Sequence, residues 1–270
     1  MRKAFHQLFK TECPLIGMLH LPSLPGSPHY SGSMREVIDA ALQDTQILAE
    51  AGFAGLIIEN LGDAPYYPDT APVETIAAMS VAAAQIRQQT SLPLGVNVLR
   101  NDATSAIAIA AAANLQFIRV NVLTGANVTD QGIISGRAHL VARKRSQLQA
   151  ENVLIFADLR VKHSVPLVEH ELAQEIEDLY ERALADALIV SGTGSGKPVD
   201  FEFLREVKKL AGDRSVVIGS GLNVENAKTL LQVADGAIVG SAIKIDGKIN
   251  NRINKTFAKQ LAEIATKSQQ

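Results

Sequence analysis

The stretch Val217-Ile218-Gly219-Ser220-Gly221-Leu222-Asn223, with Ala237-Ile238-Val239-Gly240-Ser241-Ala242 further along, decides how this sequence folds. Each is a short apolar run that ends in a glycine-bearing turn. A dinucleotide-binding doubly wound sheet carries its glycine-rich turn after the first strand. Here that place holds His20-Leu21-Pro22-Ser23-Leu24-Pro25-Gly26, and the glycine-rich turns come last. Late glycines suit a TIM (β/α)₈ barrel, where the loops after the seventh and eighth strands hold phosphate through backbone N–H groups and a nearby helix start.

Working outward, apolar β-rich runs alternate with segments of helical period, which predicts a parallel sheet with helices outside. Strands are expected over 15–20, 55–59, 94–98, 117–122, 153–158, 187–191, 215–219 and 236–240. They are near-continuous apolar runs, as strands buried on both faces should be. Between them, Met34, Val37, Ile38, Ala41, Thr45 and Leu48 fall on one helix face, with Ser33 and Glu36 at capping-box spacing. Further helices are expected over 72–89, 103–113, 136–149, 169–184, 201–211, 224–233 and 254–265, and Asn223 is placed to cap the seventh outer helix. No repeat or linker divides the chain, so one barrel domain over 1–270 is expected, with 1–13 as an amino-terminal segment.

The bulk composition agrees. A chain of 270 residues, 47% apolar and 20% charged, can bury one large α/β core. A formal net charge of -2 with scattered Lys and Arg offers no basic face for nucleic acid. The single Cys13 allows no internal disulfide and no cysteine-rich metal site, which fits a cytoplasmic protein. No stretch approaches the roughly 20 apolar residues that span a bilayer.

Ser220, Gly221, Leu222, Gly240 and Ser241 are the expected phosphate contacts, because glycine lets backbone approach an anion closely. The alternative is that these glycines only shape turns. A Gly221→Asp variant is expected to stay folded and lose affinity for phosphorylated ligands. The segment Ser191-Gly192-Thr193-Gly194-Ser195-Gly196-Lys197 resembles a P-loop but lacks its glycine at 191 and its Ser or Thr at 198. It reads as a loop over the site, with Gly192 and Lys197 as contacts, or as a solvated Gly/Ser loop.

Polar residues end otherwise apolar strands: His20, Glu59, Asn97, Asp158 and Ser191, with Arg119 and Asn121 on one face of the fourth strand. That is the end where barrel enzymes place chemistry. Arg119 needs a partner, for which Asp158 is the first candidate and Glu59 the second. Two carboxylates in different surroundings would divide the acid and base roles, unless Arg119 and Asp158 form only an interior salt bridge without chemistry. His20 can shuttle protons or serve as a structural hydrogen-bonding group. His20, Glu59 and Asp158 would form a mixed set for a divalent metal, but their spacing is not diagnostic and no cofactor is expected. Lys162 and His163 can reach a ligand from the loop after the fifth strand, or simply face solvent.

Phe5, Leu8 and Phe9 among Arg2, Lys3 and Lys10 form a short amphipathic segment. Its apolar face is expected to cap the amino-terminal end of the barrel; the competing role is contact with an anionic membrane surface.

Several motifs run through the chain: Pro14-Leu15-Ile16-Gly17-Met18-Leu19-His20-Leu21, Ile58-Glu59-Asn60, Gly95-Val96-Asn97-Val98-Leu99-Arg100-Asn101-Asp102 and Phe117-Ile118-Arg119-Val120-Asn121. With Ala157-Asp158, Gly219-Ser220-Gly221 and Val239-Gly240-Ser241, they resemble the BtpA family, also written BtpA/SgcQ, nearly end to end. The resemblance implies a TIM-barrel protein, expected to be an enzyme, with no assigned reaction and no catalytic residues to carry over. It also implies a link to photosystem I biogenesis, since a cyanobacterial member is associated with photosystem I accumulation at the thylakoid surface. Other members occur without photosynthesis, which points to a small-molecule activity beneath that role.

Two functions are therefore expected to compete. One is an enzyme acting on a phosphorylated sugar or nucleotide-like molecule by acid–base lyase, isomerase or glycosidic-bond chemistry. The other is a membrane-peripheral assembly factor without catalysis. A homo-oligomer is compatible with both.

Overall fold

The computed structural model describes residues 2–192, 194 and 197–267. Eight parallel strands close into a barrel: β1 (Leu15–His20), β2 (Gly55–Glu59), β3 (Leu94–Asn97), β4 (Phe117–Val120), β5 (Leu154–Leu159), β6 (Ala187–Val190), β7 (Ser215–Ile218) and β8 (Gly236–Val239). Each pairs with the next in sequence, and β8 returns to β1 through Leu15↔Ala237. That closure rules out the open doubly wound alternative.

The helices are α1 (Arg2–Phe9), α2 (Met34–Ala51), α3 (Val73–Gln89), α4 (Ala103–Ala113), α5 (Ala138–Gln147), α6 (Leu172–Glu177), α7 (Phe201–Ala211), α8 (Ala227–Leu230) and α9 (Lys255–Lys267). Ser33 begins α2 as expected, accepting from the Glu36 amide at 3.2 Å. The other half of the capping box is not made, because the Glu36 carboxylate accepts from Ser31. Helix α8 is shorter than its sequence suggests. Asn223 caps the turn before it, accepting from the amides of Glu225 and Asn226. No described helix is long and apolar enough to cross a membrane.

Strand parity sorts the core into two layers. Leu56, Ile58, Val96, Ile118, Ile155 and Val190 point outward and pack under the helices. Ile16, Met18, Ile57, Phe117, Phe156, Ile189, Val217 and Ile238 fill the lumen. Helix α1 plugs the amino-terminal mouth: Phe5 and Phe9 are buried, with ring centroids 5.5 and 5.8 Å from Phe156 and Phe117 respectively. Gly95 and Gly55 make room for these rings, since a Cβ at either would overlap Phe117 or Phe9. The apolar face of the amino-terminal segment is therefore the barrel's floor. Its phenylalanines are not free to enter a lipid surface.

The sequence reading has no counterpart for a small antiparallel sheet outside the barrel, formed by Ala126–Thr129, Gly132–Ser135 and Ser164–Pro166. It joins the loops after β4 and β5. Ile134 on its inner side packs with Val122 and Val161, while Val128, Ile133 and Val165 stand in register on its outer side.

Candidate active site

At the carboxyl end, two residues beyond each lumen-filling side chain, strand alternation brings the next inward position to the surface of the plug. Those positions hold His20 after Met18, Glu59 after Ile57, Asn97 after Gly95, Arg119 after Phe117, Asp158 after Phe156, Ser191 after Ile189, Gly219 after Val217 and Gly240 after Ile238. A cavity of about 440 Å³ opens above them.

Arg119 takes its first-candidate partner. Its Nε and Nη2 donate to the two oxygens of Asp158 at 2.9 and 2.8 Å, and Asn121 Nδ2 donates to Asp158 at 3.0 Å. The pair is buried, with side-chain exposures of 3% and 0%. Burial pushes the Arg119 guanidinium down, but the charge and hydrogen bonds of Asp158 outweigh this and leave it raised. Arg119 and Asn121 line the cavity, whereas Asp158 stands behind them.

Glu59 lies in the cavity wall. It accepts from Asn97 Nδ2 at 2.7 Å and stands 3.7 Å from His20 Nε2. Asn97 is buried beneath it and orients it. Burial, then the charges of Lys244, Lys162 and Arg119, hold His20 well below the ordinary histidine value, so the imidazole is neutral. Gly240 keeps this ring against the rim, since a Cβ there would lie 3.1 Å from His20 Cε1.

Ser220, Gly221, Leu222, Gly240, Ser241 and Ala242 line the same cavity. Among the described residues, the amides of Ser220, Gly221 and Leu222 have no backbone or side-chain acceptor. Ser241–Ile243 begins a single 3₁₀ turn, whose first N–H groups lack intrahelical acceptors. The expected contribution of a helix start after β7 is reduced, because α8 has only four residues and begins beyond Asn223.

The need for Gly221 has a second cause. Its φ is 79°, and a Cβ would overlap the Lys197 carbonyl. Gly221→Asp is thus a folding variant as much as a binding one, contrary to the sequence expectation. Gly192 is tight for a related reason, its Cβ position overlapping the carbonyls of Lys197 and Pro198. Lys197 itself is exposed and is not part of the cavity lining. Thr193, Ser195 and Gly196 lie outside the described residues.

Lys162 and His163 both line the cavity. Burial, followed by Arg119, lowers the Lys162 ammonium from its usual value, against the pull of Glu59 and Asp158. His163 is lowered by partial burial and by Lys162 and Arg100.

The metal set considered from sequence does not assemble. Asp158 is committed to Arg119, and no three His, Cys, Asp or Glu among the described residues stand where they could hold a metal ion. Four polar lining residues were missed: Tyr66, Arg100, Asp130 and Gln131. The last two form the tip of the 126–135 hairpin, whose signal was the alternation Ala126-Asn127-Val128-Thr129 and Ile133-Ile134-Ser135 around an Asp-Gln-Gly turn.

Buried polar atoms without partners gather here: His20 Nδ1, Asn121 Oδ1, Gln131 Oε1, Ser191 Oγ and Ser220 Oγ. Such atoms are rare in folded proteins and call for an explanation such as a ligand or water.

Residues 11–267 match the BtpA family profile. The chain belongs to the BtpA family. This BtpA-family chain is 45% identical over 260 residues to an uncharacterized protein of Methanocaldococcus jannaschii, covering 96% of this chain and 97% of that one. It is 41% identical over 261 residues to the photosystem I biogenesis protein BtpA of Synechocystis, covering 95% and 91%. In fold it is similar to thiamine phosphate pyrophosphorylase from Pyrococcus furiosus, with a TM-score of 0.60, 15% identity and coverage of 95% and 97%. It is also similar to N-(5'-phosphoribosyl)anthranilate isomerase from the same organism, at 0.55, 11%, 94% and 99%. At these identities the likeness carries the TIM-barrel fold alone.

Proposed function

We propose that this BtpA-family barrel is an enzyme that binds a phosphorylated small molecule and acts on it by acid–base lyase or isomerase chemistry. The observation that carries the reading is one cavity with two kinds of wall. Uncommitted amides at 220–222 and 241–242 form one side, and His20, Glu59, Arg119 and Lys162 form the other. An anion held by the amides would present the rest of the molecule to the polar groups.

Glu59 and neutral His20 are the acid–base groups, since both face the cavity and a proton can pass between neighbours at this range through a small shift or one water. Arg119 supplies fixed positive charge for an oxyanion. Asp158 is a positioning residue, with both oxygens committed to Arg119 and Asn121. Glycosidic-bond chemistry by Glu59 and Asp158 finds little support for the same reason, because that mechanism needs two available carboxyl groups.

The two enzymes of similar fold are named for phosphorylated compounds, which agrees with this reading without carrying it. The name of the Synechocystis relative invites an assembly role instead. Its structural motive is weaker, since Phe5 and Phe9 serve the barrel floor.

A thermal-shift panel of sugar phosphates and nucleotides tests the proposal, with Ser241→Asp as the control. Ser241 is half-buried at the rim, so a carboxylate there opposes an anion without the overlap that burdens Gly221. At least one compound should raise the melting temperature, and Ser241→Asp should weaken it by about tenfold or more, equivalent to about 1.4 kcal/mol. No stabilising compound, or equal affinity in the variant, would count against the phosphate site.

A further inference from the structure

Among the described residues, Lys162 is the one lysine that lines the cavity, and the groups around it leave it uncommitted. No carboxylate forms an ion pair with it and its Nζ makes no hydrogen bond among the described residues, although lysines elsewhere pair: Lys208 with Asp235, Lys244 with Asp44 and Lys255 with Glu50. The nearby carboxylates have other hydrogen-bond partners, Glu59 with Asn97, and Asp158 with Arg119 and Asn121.

The backbone delivers this side chain deliberately. Arg160 and His163 flank it with φ of 52° and 59°, left-handed values that non-glycine residues adopt at a cost and keep only when their surroundings enforce them. The enforcement is visible: Arg100 Nη2 donates to the Lys162 carbonyl at 3.0 Å, Ser164 Oγ donates to the Val161 carbonyl at 2.7 Å, and Val161 is buried beneath the small sheet. Arg160 turns away to Glu175. The loop thus sends one basic side chain out and the next into the cavity.

We propose that Lys162 is a nucleophilic amine that condenses with an aldehyde or ketone carbon of the phosphorylated substrate. This rests on the phosphate-binding reading above and specifies the substrate class as a phosphorylated carbonyl compound. Neutral Nζ attacks the carbonyl carbon, a C–N bond forms, and the carbonyl π pair moves to oxygen. One proton leaves nitrogen and one reaches oxygen, giving a carbinolamine. A second proton on that oxygen lets the C–O bond break with loss of water, while the nitrogen pair closes the C=N bond. The net change converts a carbonyl and a protonated lysine into a protonated imine and water. The imine is an electron sink for loss of a proton or a carbon substituent at the adjacent carbon, the step that lyase and isomerase chemistry require. His20 and Glu59 face the same cavity and can carry the protons. The lowered ammonium of Lys162 favours the free amine that attacks.

Borohydride trapping with dihydroxyacetone phosphate, and in parallel glyceraldehyde 3-phosphate, tests this on the full chain. Hydride reduces the imine to a stable secondary amine, located by peptide mass spectrometry. Label should fall on Lys162 ahead of exposed Lys197 and Lys248, should vanish in Lys162→Arg or, if that variant misfolds, Lys162→Met, and should fall with excess inorganic phosphate. Stabilisation by inorganic phosphate with neither probe labelling Lys162 would overturn the amine role and leave the phosphate site standing. Label on Lys162 from unphosphorylated dihydroxyacetone, undiminished by phosphate, would support the amine and overturn the phosphate rim. Label spread over exposed lysines without preference for Lys162 would overturn the proposal.

Discussion

Glu59 and Asp158 are the same kind of group at the same end of the barrel, and their neighbours assign them different work. Asp158 neutralises a guanidinium that is almost wholly buried, so its loss leaves a buried unpaired charge. Asp158→Ala should cost about 3–5 kcal/mol in urea denaturation, the usual penalty for breaking a buried pair. A loss near zero would mean that Arg119 finds another partner. His20 has a different signature. Its folded value lies below the ordinary 6.5, whereas the unfolded chain takes up a proton near that pH. Its contribution to stability is therefore complete above about pH 6.5 and declines as pH falls below it, by at most about 1.4 kcal/mol per pH unit. In urea titrations at successive pH values, His20→Gln should flatten this part of the profile. An unchanged slope would show that His20 is charged in the native protein.

At the scale of elements, the strands were readable because each is a short buried run, and the residues that end them stand where parity predicts. Arg119 and Asn121 do share a face, and both meet Asp158. The short α8 and the small sheet were harder to read. Helical period over 224–233 reflects packing of Ala227 and Leu230 in turns, while the hairpin's apolar residues face outward as well as inward and mimic a loop. The amino-terminal helix shows what burial decides. Its amphipathic pattern suits a membrane surface or a barrel floor, and only the lumen rings Phe117 and Phe156 select between them. Phe5→Ala should accordingly lower stability by about 3–5 kcal/mol, as for other large buried aromatics. Vesicle co-sedimentation of the folded variant should match that of the parent; a loss of vesicle binding with stability unchanged would instead favour a lipid-facing helix.

Across the whole molecule, the barrel separates stability from chemistry. Aromatic rings close one end, and loops carrying uncommitted amides and unpartnered polar atoms surround the other. Hydrogen exchange with and without inorganic phosphate should show this division: slower exchange at 220–222 and 241–243 with phosphate, and no change in α1. Equal protection at both ends would indicate general tightening in place of a rim site. The alternation of elements, the late glycine turns, the inward parity of the polar residues and the family are legible in the chain, because these are properties of short range or of residue order. Tertiary structure alone decided which carboxylate is committed to Arg119, why Gly221 must lack a side chain, and that Asp130, Gln131 and Lys162 enter one cavity. Those outcomes depend on distances between distant segments, which exist only once β8 has closed against β1 and the loops have packed on one another.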